Sequence, residues 1–338
     1  MICQSNNEDE EVSSMRDRLF VTAVAVAMFV GCAGEPQQPV PPSDTAATES
    51  EVPISAAPDP PEMIVAERGG FIPEGVEYDT INRRFLTGSL SEGWIFEIHN
   101  DGRVTAVVSD PELVSSVGIE VDEPNDRLLV ANSDRSVFDG ASAGQAKLGV
   151  YSLSTGERIA MVDLGAAIVE APTDAAFFAN DIAVADDGTA YVTDTRMRAI
   201  YRVGPDYEVS VLHRFDDFGP NGIVHHSSGY LLVCGGTELW KVPVDNPVGA
   251  TGVILPEEVE GQDGMLWMSD GRLAIVSNSG NRVVTLTSED DWATSQRVAV
   301  ASYETQATTA ALVGDHIYVV HPHFSDQDPP SLERVTFE

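Results

Sequence analysis

Gly261-Gln262-Asp263-Gly264-Met265-Leu266-Trp267 decides the fold, because its pattern of an oxygen-bearing side chain, then glycine, then an apolar run returns along the chain. The same slot is held by Glu74 before Gly75, Asn180 before Asp181 and Asn221 before Gly222. Each slot opens a similar succession of short β-rich runs separated by turns. Gly75-Val76-Glu77-Tyr78 leads to Arg84-Phe85-Leu86-Thr87 and then to Ile95-Phe96-Glu97-Ile98. Gly222-Ile223-Val224 leads to Tyr230-Leu231-Leu232-Val233 and then to Leu239-Trp240-Lys241-Val242. Further copies begin at Gly118, Asp181, Gly264 and Ala310.

Six copies of about four strands, with a typical period of about 42 residues, predict an all-β, six-bladed β-propeller. Its last copy ends after a third strand at Glu338, while Met63-Ile64-Val65-Ala66-Glu67 precedes the first copy unpaired. That N-terminal strand is expected to complete the last blade and hide the sheet edges. The interval from Gly118 to Asp181 is longer than the others by about twenty residues. The surplus falls at Asp134 to Lys147 and Leu164 to Ala179, loops expected on the face where the innermost strands begin.

Upstream of the repeats, residues 1–32 read as a leader and lipoprotein-type signal peptide. Arg16 and Arg18 precede an apolar run from Leu19 to Val30, too short to span a bilayer, and Gly31-Cys32 follows. This order resembles a bacterial lipoprotein signal, with Cys32 as the lipidated mature terminus. Met15 stands just before the basic residues as an alternative start, which makes Met1 to Ser14 an upstream extension. Residues 33–62, rich in Pro, Ser, Thr, Ala and acids, read as a disordered tether, leaving 63–338 for the propeller. The expected location is therefore a membrane surface facing the periplasm or cell exterior, reached only through a lipid anchor on Cys32. A formal net charge of −35 excludes nucleic acid as a charge-driven partner. Cys234, in an apolar run, reads as a small core residue.

Residues that open innermost strands point into the axial channel, where Glu74, Asn180, Asn221 and Asp263 should converge. Two carboxylates and two amides, with no Cys or His, suit a hard divalent cation, best Ca²⁺, with Mg²⁺, Mn²⁺ or Zn²⁺ as possible replacements. Asn or Asp before Gly is also ordinary turn chemistry. That explanation does not cover Glu74, nor why the two other slots, Val117 and Thr309, are uncharged.

The motifs Pro73-Glu74-Gly75, Asn180-Asp181, Pro220-Asn221-Gly222-Ile223 and Asp263-Gly264 resemble the metal-ligand motifs of the senescence marker protein/gluconolactonase/luciferin-regenerating enzyme-like superfamily. That group is similar to diisopropylfluorophosphatase and, more distantly, to paraoxonases. The resemblance spans about Glu67 to Glu338 and implies a Ca²⁺-dependent hydrolase. Its metal ligands would be Glu74, Asn221 and Asp263, with Asn180 as ligand or substrate contact.

A cation in such a cup acts as a Lewis acid on a lactone carbonyl or phosphoryl oxygen. Asp263 is the expected base or nucleophile, with Asp181 or His323 in reserve. Asn132, Arg196, Asn278 and His321 are expected around the small-molecule substrate. Gly140-Ala141-Ser142-Ala143-Gly144 matches a nucleophile-elbow pattern but lacks the strand-turn-helix context that motif needs. Hydrolysis of lactones or related esters is the leading expectation. A phosphotriesterase, or a non-catalytic propeller with a structural cation, are the alternatives. Mass spectrometry of the mature protein is expected to find an acylated Cys32; an unmodified or absent Cys32 would overturn the lipoprotein assignment.

Overall fold

The computed structural model describes residues 59–324 and 328–338. The leader and nearly all of the tether, with Cys32, lie outside the described residues. From Met63 onward the chain forms six antiparallel sheets arranged as the blades of a β-propeller. Blade one is typical: Val76–Asp79, Arg84–Thr87, Ile95–Ile98 and Val104–Val108 pair in sequence from inside outward. Among the described residues no helix is long and apolar enough to cross a membrane.

Alternation of side chains along each strand gives every blade two apolar faces, and each face packs on its neighbour's. Six buried clusters result, one between each adjacent pair. Between blades six and one, Phe85 meets Tyr318 with ring centroids 5.1 Å apart. The ring closes as the repeat pattern requires: Met63–Val65 pairs antiparallel with Ser331–Glu333 as the outermost strand of blade six.

Both surplus segments of blade two lie together. Gly144–Gln145 pairs in parallel with Phe177 and Phe178 at the head of blade three's inner strand. Ser142 Oγ, within the elbow-like sequence, donates to Asp134 Oδ2 at 2.7 Å and receives the Gly144 N–H at 3.0 Å. That serine organises a loop and does not stand on the turn from a strand into a helix that a nucleophile elbow needs.

The six innermost strands approach one another at backbone distance. Gly75 N–H donates to Val117 O at 3.0 Å, and Gly264 N–H donates to Thr308 O at 2.9 Å. A β-carbon on Gly222 would lie 2.1 Å from Asp263 O, and one on Gly75 would lie 2.6 Å from Val117 O. The glycine after a slot residue is therefore demanded by the narrowness of the ring. Gly222→Ala is expected to destabilise the protein by about 1–3 kcal/mol through overpacking against backbone that cannot yield. Calorimetry checks this as a fall in Tm of several degrees, together with weakened calcium binding.

Candidate metal centre

Glu74 and Asp263 come from blades one and five, yet both are 7% exposed and close enough to repel each other's ionisation. Glu74 Oε2 and Asp263 Oδ1 are enclosed and have no hydrogen-bond partner among the described residues. Asn278 Nδ2 donates to the other Asp263 oxygen, Oδ2, at 2.9 Å, and Asn221 also hydrogen-bonds this carboxylate. Asn180 anchors its Nδ2 on Thr195 Oγ1 at 2.8 Å, and Thr195 in turn donates to Pro220 O at 2.7 Å. Its amide is thereby held by the same segment that delivers Asn221.

The backbone carrying the carboxylates is fixed from behind. Thr308 and Thr309 of blade six donate their hydroxyls to Glu74 O at 2.7 and 2.9 Å. Cys234, buried as expected, donates its thiol to Asp263 O at 3.0 Å. The uncharged slot of blade six thus supports a ligand's main chain and closes the circle on blade one.

Burial pushes Glu74 well above the ordinary carboxylate range, and the charges of Asp263 and Asp181 add to the shift. Burial likewise raises Asp263 to about 7, although its hydrogen bonds with Asn221 and Asn278 pull the other way. Two enclosed carboxylates, each with one oxygen left over and no cationic side chain between them, are costly by themselves. A hard divalent cation resolves both deficits, and the donor set fits it. Among the described residues no three His, Cys, Asp or Glu side chains group as a metal site.

Deeper in the channel lie further carboxylates. Asp181 hangs below the ring, its Oδ2 accepting the Ile223 N–H at 3.1 Å, and burial raises it to about 7. Glu77 is raised to about 8 by burial and then by Asp181, and Glu120 is raised by burial and by Glu77 and Asp181. These three line a channel cavity of 320 Å³ with Ile182, His225 and Trp267. Asp181 therefore belongs to this lower group as much as to the ring.

Several expected substrate contacts are placed elsewhere. Asn132 is fully buried inside blade two, where its Oδ1 accepts from Val114 N and Gln145 Nε2 and its Nδ2 donates to Glu112 O. Its amide is spent on loops, which corrects the expectation of a substrate contact. His321 is buried too, with Nδ1 against Gln306 O at 3.2 Å and Nε2 against Glu333 Oε2 at 3.0 Å. Both ring nitrogens are engaged, so it braces blade six and does not face substrate. Asn278 stands behind Asp263, its own Oδ1 accepting from Gln306 Nε2. Both ends of its amide are thereby engaged, one on Asp263 and one on Gln306.

His323 sits part-buried just beyond that strand in the left-handed region, at φ 53°. Arg196 lies at the rim with its guanidinium 5.5 Å from the Phe138 ring, and no acidic side chain among the described residues pairs with it. Gln262 was not singled out by the repeat pattern, because it precedes the slot. Its enclosed side chain has neither amide atom partnered among the described residues.

The chain matches no protein-family model and no curated protein. Solved structures do match its fold. One is the major Malassezia sympodialis allergen Mala s 1, at 19% identity and TM-score 0.67, covering 82% of this chain and 96% of that one. Others are a Xanthomonas campestris gluconolactonase, at 15% identity and TM-score 0.57 over 82% and 89%, and luciferin-regenerating enzyme, at 12% and 0.58 over 81% and 94%. The neighbours thus include the group whose motifs the sequence resembles, and at these identities the likeness establishes the six-bladed fold.

Glu77, Asp181 and Asp263 hold protons more tightly when folded than unfolded, so their neutral forms support the fold at low pH. That support is lost as pH rises through about 7–8. Chelator-treated protein is therefore expected to melt at lower temperature at pH 8 than at pH 6, with Glu77→Gln flattening the slope. Added calcium should raise Tm more at pH 8, and calorimetry across the four conditions checks the sign.

Proposed function

We propose that the chain is a divalent-cation-dependent hydrolase of lactones or related esters, with Ca²⁺ as the preferred ion. The observation that carries this reading is the pair of enclosed, unpartnered carboxylate oxygens, Glu74 Oε2 and Asp263 Oδ1, set beside two amides from different blades. When bound, a hard cation there supplies Lewis-acid polarisation of an acyl oxygen. Glu74, Asn180, Asn221 and Asp263 would hold it.

The chain's own residues supply the rest. Asn278 and Asn221 fix the Asp263 carboxylate in one orientation, which leaves Oδ1 to the cation at the edge of the cup. From there Asp263 takes a proton from an attacking water or attacks the acyl carbon itself. Asp181 faces the lower channel, where its Oδ2 accepts the Ile223 N–H and burial favours its protonated form, so it stands apart from the reacting pair. Enclosure by six blades limits water around the reacting bond and strengthens each of these interactions. Arg196 on Phe138, beside Thr195, offers a cationic rim contact for substrate oxygen.

The gluconolactonases among the structural neighbours support lactones as the favoured substrate class. Export to a membrane surface through Cys32 belongs to the same proposal and rests on the signal-like residues. The mature chain, assayed on lactones, aryl esters and phosphotriesters, is expected to turn over lactones best with calcium and to lose activity with chelator. Asp263→Asn is expected to lower kcat/KM by about 10²–10⁴-fold while circular dichroism stays unchanged. Turnover of no substrate with calcium bound would instead favour a ligand-binding propeller, and selective phosphotriester turnover would move the assignment to that chemistry.

A further inference from the structure

Tyr303 lies on the link from the outermost strand of blade five, Gln296–Ser302, to the innermost strand of blade six, Ala310–Val313. The same link carries Thr308 and Thr309, whose hydroxyls hold the Glu74 main chain, so it forms part of the cup wall. The Tyr303 ring is 8% exposed and packs among the residues between blades five and six. It stands edge-on to His321, with centroids 5.4 Å apart. His321 is fixed by Gln306 O and Glu333, and Tyr303 N–H donates to Asn281 O at 3.0 Å. The ring is thus set against His321 while the main chain beneath it is fixed.

Its hydroxyl, however, is enclosed and has no hydrogen-bond partner among the described residues. Other fully buried tyrosines behave differently. Tyr151 donates to Asp110 Oδ2 at 3.0 Å, Tyr201 to Asp194 Oδ2 at 3.1 Å and Tyr318 to Pro60 O at 2.9 Å. A buried phenol normally finds an acceptor, and leaving one without is costly. Phenylalanine would fill the same interface without that cost, so the hydroxyl has a partner that the protein does not provide. The residue also stands within electrostatic reach of Asp263, whose charge, after burial, resists its ionisation. Tyr303 therefore stays a donor and is not a base.

We propose that Tyr303 is a substrate-contacting residue of the metal centre, its hydroxyl donating to the acyl oxygen that enters the cup beside Asp263. This rests on the hydrolase reading. Donation to an oxygen that gains negative charge in the transition state lowers the barrier more than it tightens substrate binding. Tyr303 would thus complete the electrophilic side of the cup opposite the free oxygen of Asp263.

Tyr303→Phe in the full chain tests this against a merely structural role. Metal-free variant is expected to melt at the wild-type temperature or above it, with calcium affinity within about twofold. With D-glucono-1,5-lactone as probe, kcat is expected to fall by about 10²-fold with KM little changed. Unaltered kcat, or a variant melting well below wild type, would overturn the assignment. The product, D-gluconate, serves as a second probe in excess calcium, raising the wild-type Tm more than that of the variant. If wild type hydrolyses nothing, the hydrolase reading fails, and the gluconate arm alone then decides: equal protection of both proteins overturns the role of Tyr303.

Discussion

Everything at the centre of this protein follows from how closely six innermost strands crowd the propeller axis. Gly75, Gly118, Gly222 and Gly264 each set bare backbone against the slot of the next blade; a β-carbon on Gly118, for example, would lie 2.4 Å from Asn180 O. Without that approach the slot side chains would hang around a wider hole and could not share one ion. Apolar packing between blades drives the crowding, and blade-to-blade hydrogen bonds from Gly75, Gly264 and the two threonines fix it. The convergence of the slot side chains and the stability of the fold are therefore two readings of one geometry.

Crowding also concentrates charge. Glu74, Asp263, Asp181, Glu77 and Glu120 follow one another down the channel, and burial raises the proton affinity of each. A chain that only needed to fold would fill this channel with apolar side chains, as it does between the blades. The upper pair differs from the lower three in having an enclosed oxygen without a partner among the described residues, with the amides of Asn221 and Asn278 beside Asp263. This is why the cation is assigned to the cup, while the lower carboxylates are expected to carry protons.

Much of this was legible in the sequence because propeller repeats print the same physics six times. The slot residue, the following glycine and the unpaired strand at Met63 each recur at a fixed place, and the sheets follow them. Legibility failed where a residue's partner lies in another blade's loop. Asn132 and Asn278 sit after second strands, at positions that the pattern assigns to the rim, yet both amides turn inward to loops and to Asp263. His321 looked like channel chemistry, but Glu333, on the neighbouring strand, claims its ring. Tyr303 carries no motif, and only its enclosed hydroxyl, set against three satisfied tyrosines, distinguishes it. Glu77 and Glu120 were visible as inner-strand residues, but their mutual repulsion appears only when the blades close.

Blade two shows how one departure from the repeat is compensated. Its slot holds Val117, which can donate nothing to a metal, so one side of the ring is apolar. The surplus residues of the same blade rise over that side. Gly144–Gln145 joins Phe177 and Phe178, and Phe138 meets Phe178 edge-on with centroids 4.7 Å apart. Arg196 covers the outer face of Phe138 at the edge of a groove of 840 Å³ that also contains Arg198, Arg214 and Asp217. Arg198 is paired with Asp217, whereas among the described residues Arg196 has an aromatic face beneath it and no acidic partner. A guanidinium left this way in a strongly acidic chain keeps its donors available for an incoming oxygen. The cup is thus asymmetric: carboxylates and amides from blades one, three, four and five set the chemistry. The insertions that make blade two irregular build an aromatic wall beside its apolar slot.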